Sequence, residues 1–148
     1  MSNFPDWWDK KITIYNKYTD ESTRVTTWYK TVLTEPRCFW KNTGDKTVVG
    51  NAVLDTKRII CRIPETSKYL PLKEWLSLDD KTTKFTLQQS DIIVLGECED
   101  VINEYESGKR STDFLAKHHR YGDCLEIEQF AIDTMNGMLF KHYWVRGL

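Results

Sequence analysis

The chain has 148 residues, 40% of them apolar and 13% aromatic, which fits one domain with a real core and is too little for two ordinary domains. The 21 basic and 22 acidic residues give a formal charge of −1, so the net charge does not attract the protein to nucleic acid or to an anionic membrane. The first residues show no basic-then-apolar pattern, so we expect no leader. The sequence has no apolar run of membrane-spanning length and no Cys-x-x-Cys pair among its four cysteines. We therefore expect free thiols and synthesis in a reducing cytoplasm.

The first predicted elements are strands rich in β-branched and aromatic residues. Strands are predicted over 12–18 and 23–33, and the short polar link between them reverses the chain direction. Glu35-Pro36 is expected to end the second strand, because proline lacks the N–H that a β-ladder uses. Residues 37–41 then start a third short strand.

Residues 42–55 mix two glycines with the short apolar pair Val48-Val49. We predict a mobile hairpin or an extended arm for this segment. For an isolated monomer the alternative is an ordinary surface loop.

Two further strands are predicted in the middle of the chain. Residues 56–63 alternate Ile and Cys with basic residues, which predicts a strand with one solvent-exposed face. Residues 85–96 end in the continuous apolar run 92–95, which is typical of a strand buried on both faces.

A short helix or insertion is predicted between these strands, over 69–78. Pro71 suits a first helical position, and the spacing of Leu72, Trp75 and Leu76 places them on one helix face.

The segment 97–106, which we call the acidic segment, holds five carboxylates in ten residues. A helical turn or two is predicted over 112–117, because a Ser/Thr cap precedes it and basic residues follow it. The basic residues Lys109, Arg110, Lys117 and Arg120 either face the acids across a subunit boundary or form a mixed-charge surface.

Residues 124–148 predict a closing hairpin of two alternating strands. The alternation changes phase inside the first strand, so we predict a β-bulge near Gln129. Asn136-Gly137 supplies residues that tolerate positive φ at the turn.

Together these elements predict a mainly β protein with one domain over residues 1–148. The predicted architecture is a small, partly open antiparallel β-barrel or sandwich of about six or seven strands, with one or two short helices and a long loop.

Clusters of chemically reactive side chains give only weak signals in this sequence. His118-His119 followed by Cys124 matches no zinc-ligand spacing, so a solvated turn is the simpler interpretation. The acidic segment lacks a second cluster of ligands to face it, which favours a solvated acidic face. We find no nucleophile elbow, phosphate-binding loop or dinucleotide motif, and an enzyme is therefore disfavoured.

Several motifs, taken in order, resemble one family. They are ITIYNKY, a Trp-bearing second strand leading into RCFWK, KRIICRIPE, SDIIVLGECEDVI, RSTDFLAKH, LEIEQFAID and KHYWVRG. From about Ile12 to Gly147, this order resembles the small neck proteins of tailed bacteriophages. The similarity is greatest to minor capsid or head-tail connector proteins of phages and prophages of Gram-positive bacteria.

The resemblance implies a structural virion protein of the neck, assembled in the host bacterial cytoplasm. Its barrel subunits would form a ring beneath the portal that closes the DNA-filled head and receives the tail. Expected partners are further copies of the chain, a portal or adaptor protein, and a tail or tail-terminator protein. Packaged DNA would lie near without specific contacts, and no membrane, cofactor, metal or catalytic residue is implied.

Three alternatives remain open from the sequence. One is a tail-terminator or tail-completion protein of similar size and related barrel. Another is a small metal-dependent enzyme using the acidic segment with His118 or His119. The third is a host-directed regulatory binding module.

The neck interpretation gives three sets of candidate functional residues. Contacts between subunits or with the portal are assigned to Trp7, Trp8, Trp40 and Trp75, although adjacent Trp7 and Trp8 would alternatively cover one end of the core. A channel-facing arm would present Lys46, Val48, Val49 and Asn51. An acidic lumen face that repels DNA phosphates would consist of Glu97, Glu99, Asp100 and Glu104.

Overall fold

A computed structural model of the chain describes residues 8–43, 46–50, 52–55, 58–119, 123–134 and 141–148. This part of the chain contains eight strands and two helices. In order they are β1 (Lys10–Thr19), β2 (Thr26–Thr43), β3 (Lys46–Val49), β4 (Ala52–Asp55), β5 (Arg58–Pro64), α1 (Leu72–Leu76), β6 (Ile92–Leu95), α2 (Ser111–His119), β7 (Cys124–Thr134) and β8 (His142–Gly147).

Six of these strands form one antiparallel sheet that closes on itself. The order around the ring is β1, β2, β5, β8, β7, β6, and β6 completes it by pairing with β1. Closure gives each of the six strands a neighbour on both sides, which protects a small barrel from edge-to-edge association. The predicted mainly β fold with two short helices is confirmed.

Apolar side chains from all six strands fill the interior of the barrel. They are Ile12, Ile14, Leu33, Cys38, Ile59, Cys61, Ile63, Ile93, Leu125, Ile127, Tyr143 and Val145, joined by Phe85 and Leu87 from the segment before β6. Each fully buried aliphatic side chain of this size contributes about 1.5–3 kcal/mol relative to an exposed one. The packed interior is therefore the main source of stability.

A second apolar cluster lies outside the barrel wall, under α2. Tyr15, Val94 and Cys124 belong to it, and Phe114 packs on them from α2. The Tyr15 and Phe114 rings meet edge to face, with centroids 4.9 Å apart. Strand β6 is thus buried on both faces, as its continuous apolar run predicted.

Strand β2 corrects one prediction. Glu35-Pro36 does not end a strand but lies inside β2, joined by a cis peptide bond. The strand changes neighbours at this point, because residues 26–33 pair with β1 and residues 39–43 pair with β5. The register with β1 shifts here, and a proline is tolerated where the ladder is interrupted.

Helix α1 is shorter than predicted and does not have the expected apolar face. It begins after Pro71, and Trp75 is buried while Leu72 and Leu76 are exposed. A helix of five residues has little more than one turn, so one large side chain is enough to fix it on the barrel.

The carboxyl-terminal strands β7 and β8 pair antiparallel, as predicted. Their register shifts between Ile127 and Gln129, which confirms the expected irregularity near Gln129. The predicted Asn136-Gly137 turn lies outside the described residues.

Candidate functional site

Strands β3 and β4 form a two-stranded antiparallel hairpin apart from the barrel sheet, within the predicted segment 42–55. Gly50 follows β3 with a φ of 62°. Glycine adopts this left-handed conformation without a steric penalty, which suits a tight turn.

The hairpin is inserted between two neighbouring strands of the barrel. Thr43 at the end of β2 pairs with Arg58 at the start of β5, so the base of the hairpin lies at this pair. Among the candidate arm residues, Lys46, Val48 and Val49 lie in β3, and Asn51 lies outside the described residues. That these residues face a channel stays a prediction.

Trp8 does not offer the exposed surface that a subunit contact needs. Its side chain is buried, with its ring 5.2 Å from the His142 ring in an edge-on arrangement and 6.1 Å from the Phe39 ring. Trp8 therefore covers part of the core, which was the alternative interpretation for this residue. Trp7 lies outside the described residues.

Trp75 is also buried rather than exposed. Its Nε1 donates a hydrogen bond to the Lys84 carbonyl oxygen at 3.3 Å, and its ring meets Tyr18 and Tyr29 edge to face. Trp40 is half-buried and packs against the barrel core. Trp8 and Trp75 are thus core residues, because large aromatic surfaces gain most by leaving water.

The four carboxylates assigned to an acidic lumen face do not share one environment. Glu97 and Glu99 are exposed, and Glu97 lies 3.6 Å from the ammonium of Lys11. Glu104 instead accepts a hydrogen bond from the backbone N–H of Ser111 at 2.6 Å, at the first residue of α2. A carboxylate at this place accepts a hydrogen bond from a helix N–H that has no partner within the helix, and it interacts favourably with the positive end of the helix dipole.

Asp100 is also directed toward α2. Its Oδ2 lies 2.8 Å from Lys117 Nζ and 2.9 Å from His118 Nε2. These hydrogen bonds, from Lys117 first and then His118, lower the pKa of the Asp100 carboxyl group. Asp100 and Glu104 are thus directed toward α2, and Lys117 pairs with an acid of its own chain rather than across a subunit boundary. That the four carboxylates line a lumen stays a prediction.

Cys98 brings a third kind of metal ligand to the same place. Its Sγ, a carboxylate oxygen of Asp100 and a ring nitrogen of His118 lie within 4.8 Å of one another. The sequence suggested Cys124 as the cysteine near His118, whereas the structure supplies Cys98. The Cys-x-Asp spacing was the available signal, because it brings a thiol and a carboxylate within two residues of each other.

The model of a family of unknown function, DUF6751, matches residues 7–148. The chain belongs to this family. No curated protein and no solved structure matches the chain. None of the helices in the described residues is long and apolar enough to cross a membrane.

The DUF6751 match spans all elements of the fold, including the inserted hairpin, α2 and the cluster at Cys98. Because the family has no assigned function, it supports neither a structural nor a catalytic role by itself.

Proposed function

We propose that this DUF6751 protein is a structural virion component of a phage neck. In this role it forms a ring beneath the portal, closes the DNA-filled head and receives the tail. The observation that carries the proposal is a closed antiparallel barrel with a separate hairpin inserted between β2 and β5. This architecture agrees with the barrel and the arm that the neck-protein resemblance implies.

The interior of the barrel is filled with side chains, which leaves the outer surfaces for function. It is packed with apolar side chains from every strand, as in small barrels that enclose no ligand cavity. The protein therefore acts through its outer surfaces, and its expected partners are further copies of the chain, a portal or adaptor protein, and a tail protein.

The surfaces for ring contacts differ from those first assigned to tryptophans. The large apolar side chains that the structure describes as exposed are Val25, Val32, Leu72, Leu76, Val101, Tyr105, Ile132 and Leu148. Tyr105 also accepts a hydrogen bond from the Thr26 backbone N–H at 2.8 Å, which fixes its ring near the start of β2. Val101 and Tyr105 are the most exposed of the set and are the first candidates for contacts between subunits.

The hairpin is the candidate arm toward the channel or a neighbouring subunit. A two-stranded hairpin is only marginally stable in isolation, and β3 pairs with β4 alone among the described strands. Contact with a neighbour in a ring would supply the missing stabilisation.

A hairpin deletion separates folding from assembly. Residues 44–57 are replaced by Asn-Gly, a turn that can join Thr43 and Arg58 because these residues are already strand neighbours. We expect the shortened chain to keep its circular dichroism spectrum and cooperative unfolding.

The test uses the portal and tail proteins encoded in the same phage or prophage genome. Electron microscopy of the co-purified complex is expected to show the wild-type chain as a ring on the portal. Particles assembled with the shortened chain are expected to lose their DNA. Binding to the tail end but not to the portal would instead support the tail-terminator role, and wild-type protein that binds neither would overturn the proposal.

A further inference from the structure

Cys98, Asp100 and His118 bring three metal-ligating side chains together, and small side-chain shifts would place their donor atoms at metal-site distances. Ligand atoms at the usual zinc distances lie roughly 3.4–3.6 Å apart in a tetrahedron. The three donor atoms already lie within 4.8 Å of one another, and His118 Nε2 is 2.9 Å from Asp100 Oδ2. We propose that these residues form a three-ligand site for a zinc-like divalent ion, with the fourth position open to water.

The backbone around two of the ligands is fixed on the barrel wall. The Cys98 N–H donates to Thr13 Oγ1 at 2.9 Å, and the Asp100 carbonyl oxygen accepts from the Tyr15 hydroxyl at 2.7 Å. Strand β1 therefore holds both ligand residues before any metal binds. Such support reduces the ordering that binding would otherwise require.

The third ligand comes from α2, whose position is fixed independently. The His118 ring packs against Phe114, with ring centroids 4.3 Å apart. Phe114, also on α2, is buried in the apolar cluster between α2 and the barrel wall. A metal bound here would join the acidic segment to α2, two elements that are separate in the sequence. We expect it to stabilise their contact.

The donor set selects the kind of ion. A thiolate with an imidazole favours zinc and similar transition metals, whereas magnesium and calcium take oxygen ligands. On binding, the Cys98 thiol releases its proton to solvent, and the proton that His118 Nε2 donates to Asp100 moves to Nδ1 by exchange with water, so that the neutral ring binds the ion through Nε2. The thiolate and the carboxylate together balance the two positive charges.

Solvent can reach the site, and one neighbouring charge competes with the ion. The Asp100 side chain is 41% exposed and that of His118 is 13% exposed. Lys117 Nζ occupies one Asp100 oxygen at 2.8 Å, but its side chain is 64% exposed and can turn into water. The ammonium and the ion would share the Asp100 carboxylate and repel each other, so removal of the ammonium should strengthen metal binding.

The test titrates the chelator-treated full-length chain with Co²⁺ and then with Zn²⁺. We expect one equivalent of Co²⁺ to give a thiolate-to-cobalt charge-transfer band, which Zn²⁺ then abolishes. Cys98→Ser should remove the band, and Asp100→Asn and His118→Gln should each weaken binding about tenfold or more. Lys117→Ala should bind several-fold more tightly.

Two carboxylates serve as matched controls. Glu99 lies between two ligands in the sequence, and Asp113 lies on α2, and both are exposed. Glu99→Gln and Asp113→Asn should bind Co²⁺ like the wild type. Circular dichroism of each metal-free variant checks that it is folded.

The proposal also has a readout that needs no variant of Cys98. Zn²⁺ should slow the alkylation of Cys98 in the wild-type chain, followed by mass spectrometry, and should not do so in His118→Gln. No Co²⁺ binding by the folded wild type, a charge-transfer band that survives Cys98→Ser, or unchanged affinity in both other ligand variants would overturn the site. None of these measurements depends on the neck function.

Discussion

Gly147 lies so close to the backbone of Glu126 that a Cβ at position 147 would overlap the Glu126 carbonyl group. The contact follows from the register of β7 and β8. The Glu126 N–H donates to the Leu148 carbonyl oxygen at 3.0 Å, and the Leu148 N–H donates to the Glu126 carbonyl oxygen at 3.2 Å. The backbones of β7 and β8 thus approach so closely at position 147 that only a residue without a side chain fits there.

Gly147→Ala is therefore expected to destabilise the protein. Either the strands separate locally or a backbone carbonyl shifts, and such overpacking costs about 1–3 kcal/mol. For a chain of this size each kcal/mol lowers the melting temperature by about 2–4 °C. Thermal unfolding measures the change, and the adjacent exposed residue gives the control, since Leu148→Ala should shift the midpoint little. Equal melting temperatures for both variants would contradict the close contact.

Trp75→Ala should lower the free energy of unfolding of the protein rather than remove a binding surface. Loss of a fully buried tryptophan costs about 3–5 kcal/mol, because a cavity replaces its ring contacts. Leu76→Ala is the matched control, because Leu76 is the next residue of the same helix and is exposed. Urea unfolding distinguishes the two variants. Trp75→Ala with wild-type stability but impaired portal binding would restore the original contact assignment.

The fold was predictable from the sequence wherever one local pattern fixes the structure. Alternation predicted β1 and β5, and the continuous apolar run predicted that β6 is buried on both faces. The course of β2 through Pro36 was not predictable, because it depends on an exchange of strand partners that involves distant residues. A local rule for proline gave the wrong answer there.

The candidate site shows the same limit. The spacing of Cys98 and Asp100 lies in the sequence, but their proximity to His118 depends on how α2 packs on the barrel. The burial of Trp8 and Trp75 likewise depends on tertiary packing. Large aromatic residues alone do not tell whether they face the core or a partner.

Glu104 is expected to stabilise the start of α2. Glu104→Ala removes the acceptor of the Ser111 N–H and should cost about 1 kcal/mol. Glu104→Gln keeps an oxygen acceptor but loses the charge near the helix dipole, so it should cost less. Hydrogen exchange of the α2 amides measures the effect. Unchanged exchange in the alanine variant would show that the Glu104 contact does not hold this helix end.

The pKa of Glu104 predicts how the contribution of this residue to stability changes with pH. Burial alone would raise the pKa of Glu104, but the hydrogen bonds from Ser111, together with smaller contributions from Trp28 and Lys17, outweigh it and lower the pKa below its ordinary value of 4.5. A lowered pKa gives stability that is present above the unfolded value and is lost as the pH falls. The difference between wild type and Glu104→Ala should therefore shrink in acid.

Asp91 behaves in the opposite way. Its carboxylate is buried and accepts hydrogen bonds from Asn16 Nδ2 at 2.8 Å and from the Lys17 backbone N–H at 3.1 Å. Burial outweighs these bonds and raises the pKa of Asp91 from 3.8 to about 7. Between about pH 4 and pH 7 the Asp91 carboxyl group is therefore protonated in the folded chain and ionised in the unfolded chain.

This raised pKa predicts that the protein loses stability as the pH rises from about 4 to 7, by about 3 to 4 kcal/mol from Asp91 alone. Between pH 5 and pH 8 the loss should be about 2 to 3 kcal/mol in urea unfolding. Asp91→Asn cannot ionise, so this loss should disappear. Its amide will face one of the two donors and lower stability at every pH, and therefore the slope with pH is the readout. A slope that persists in Asp91→Asn would assign the effect to another group.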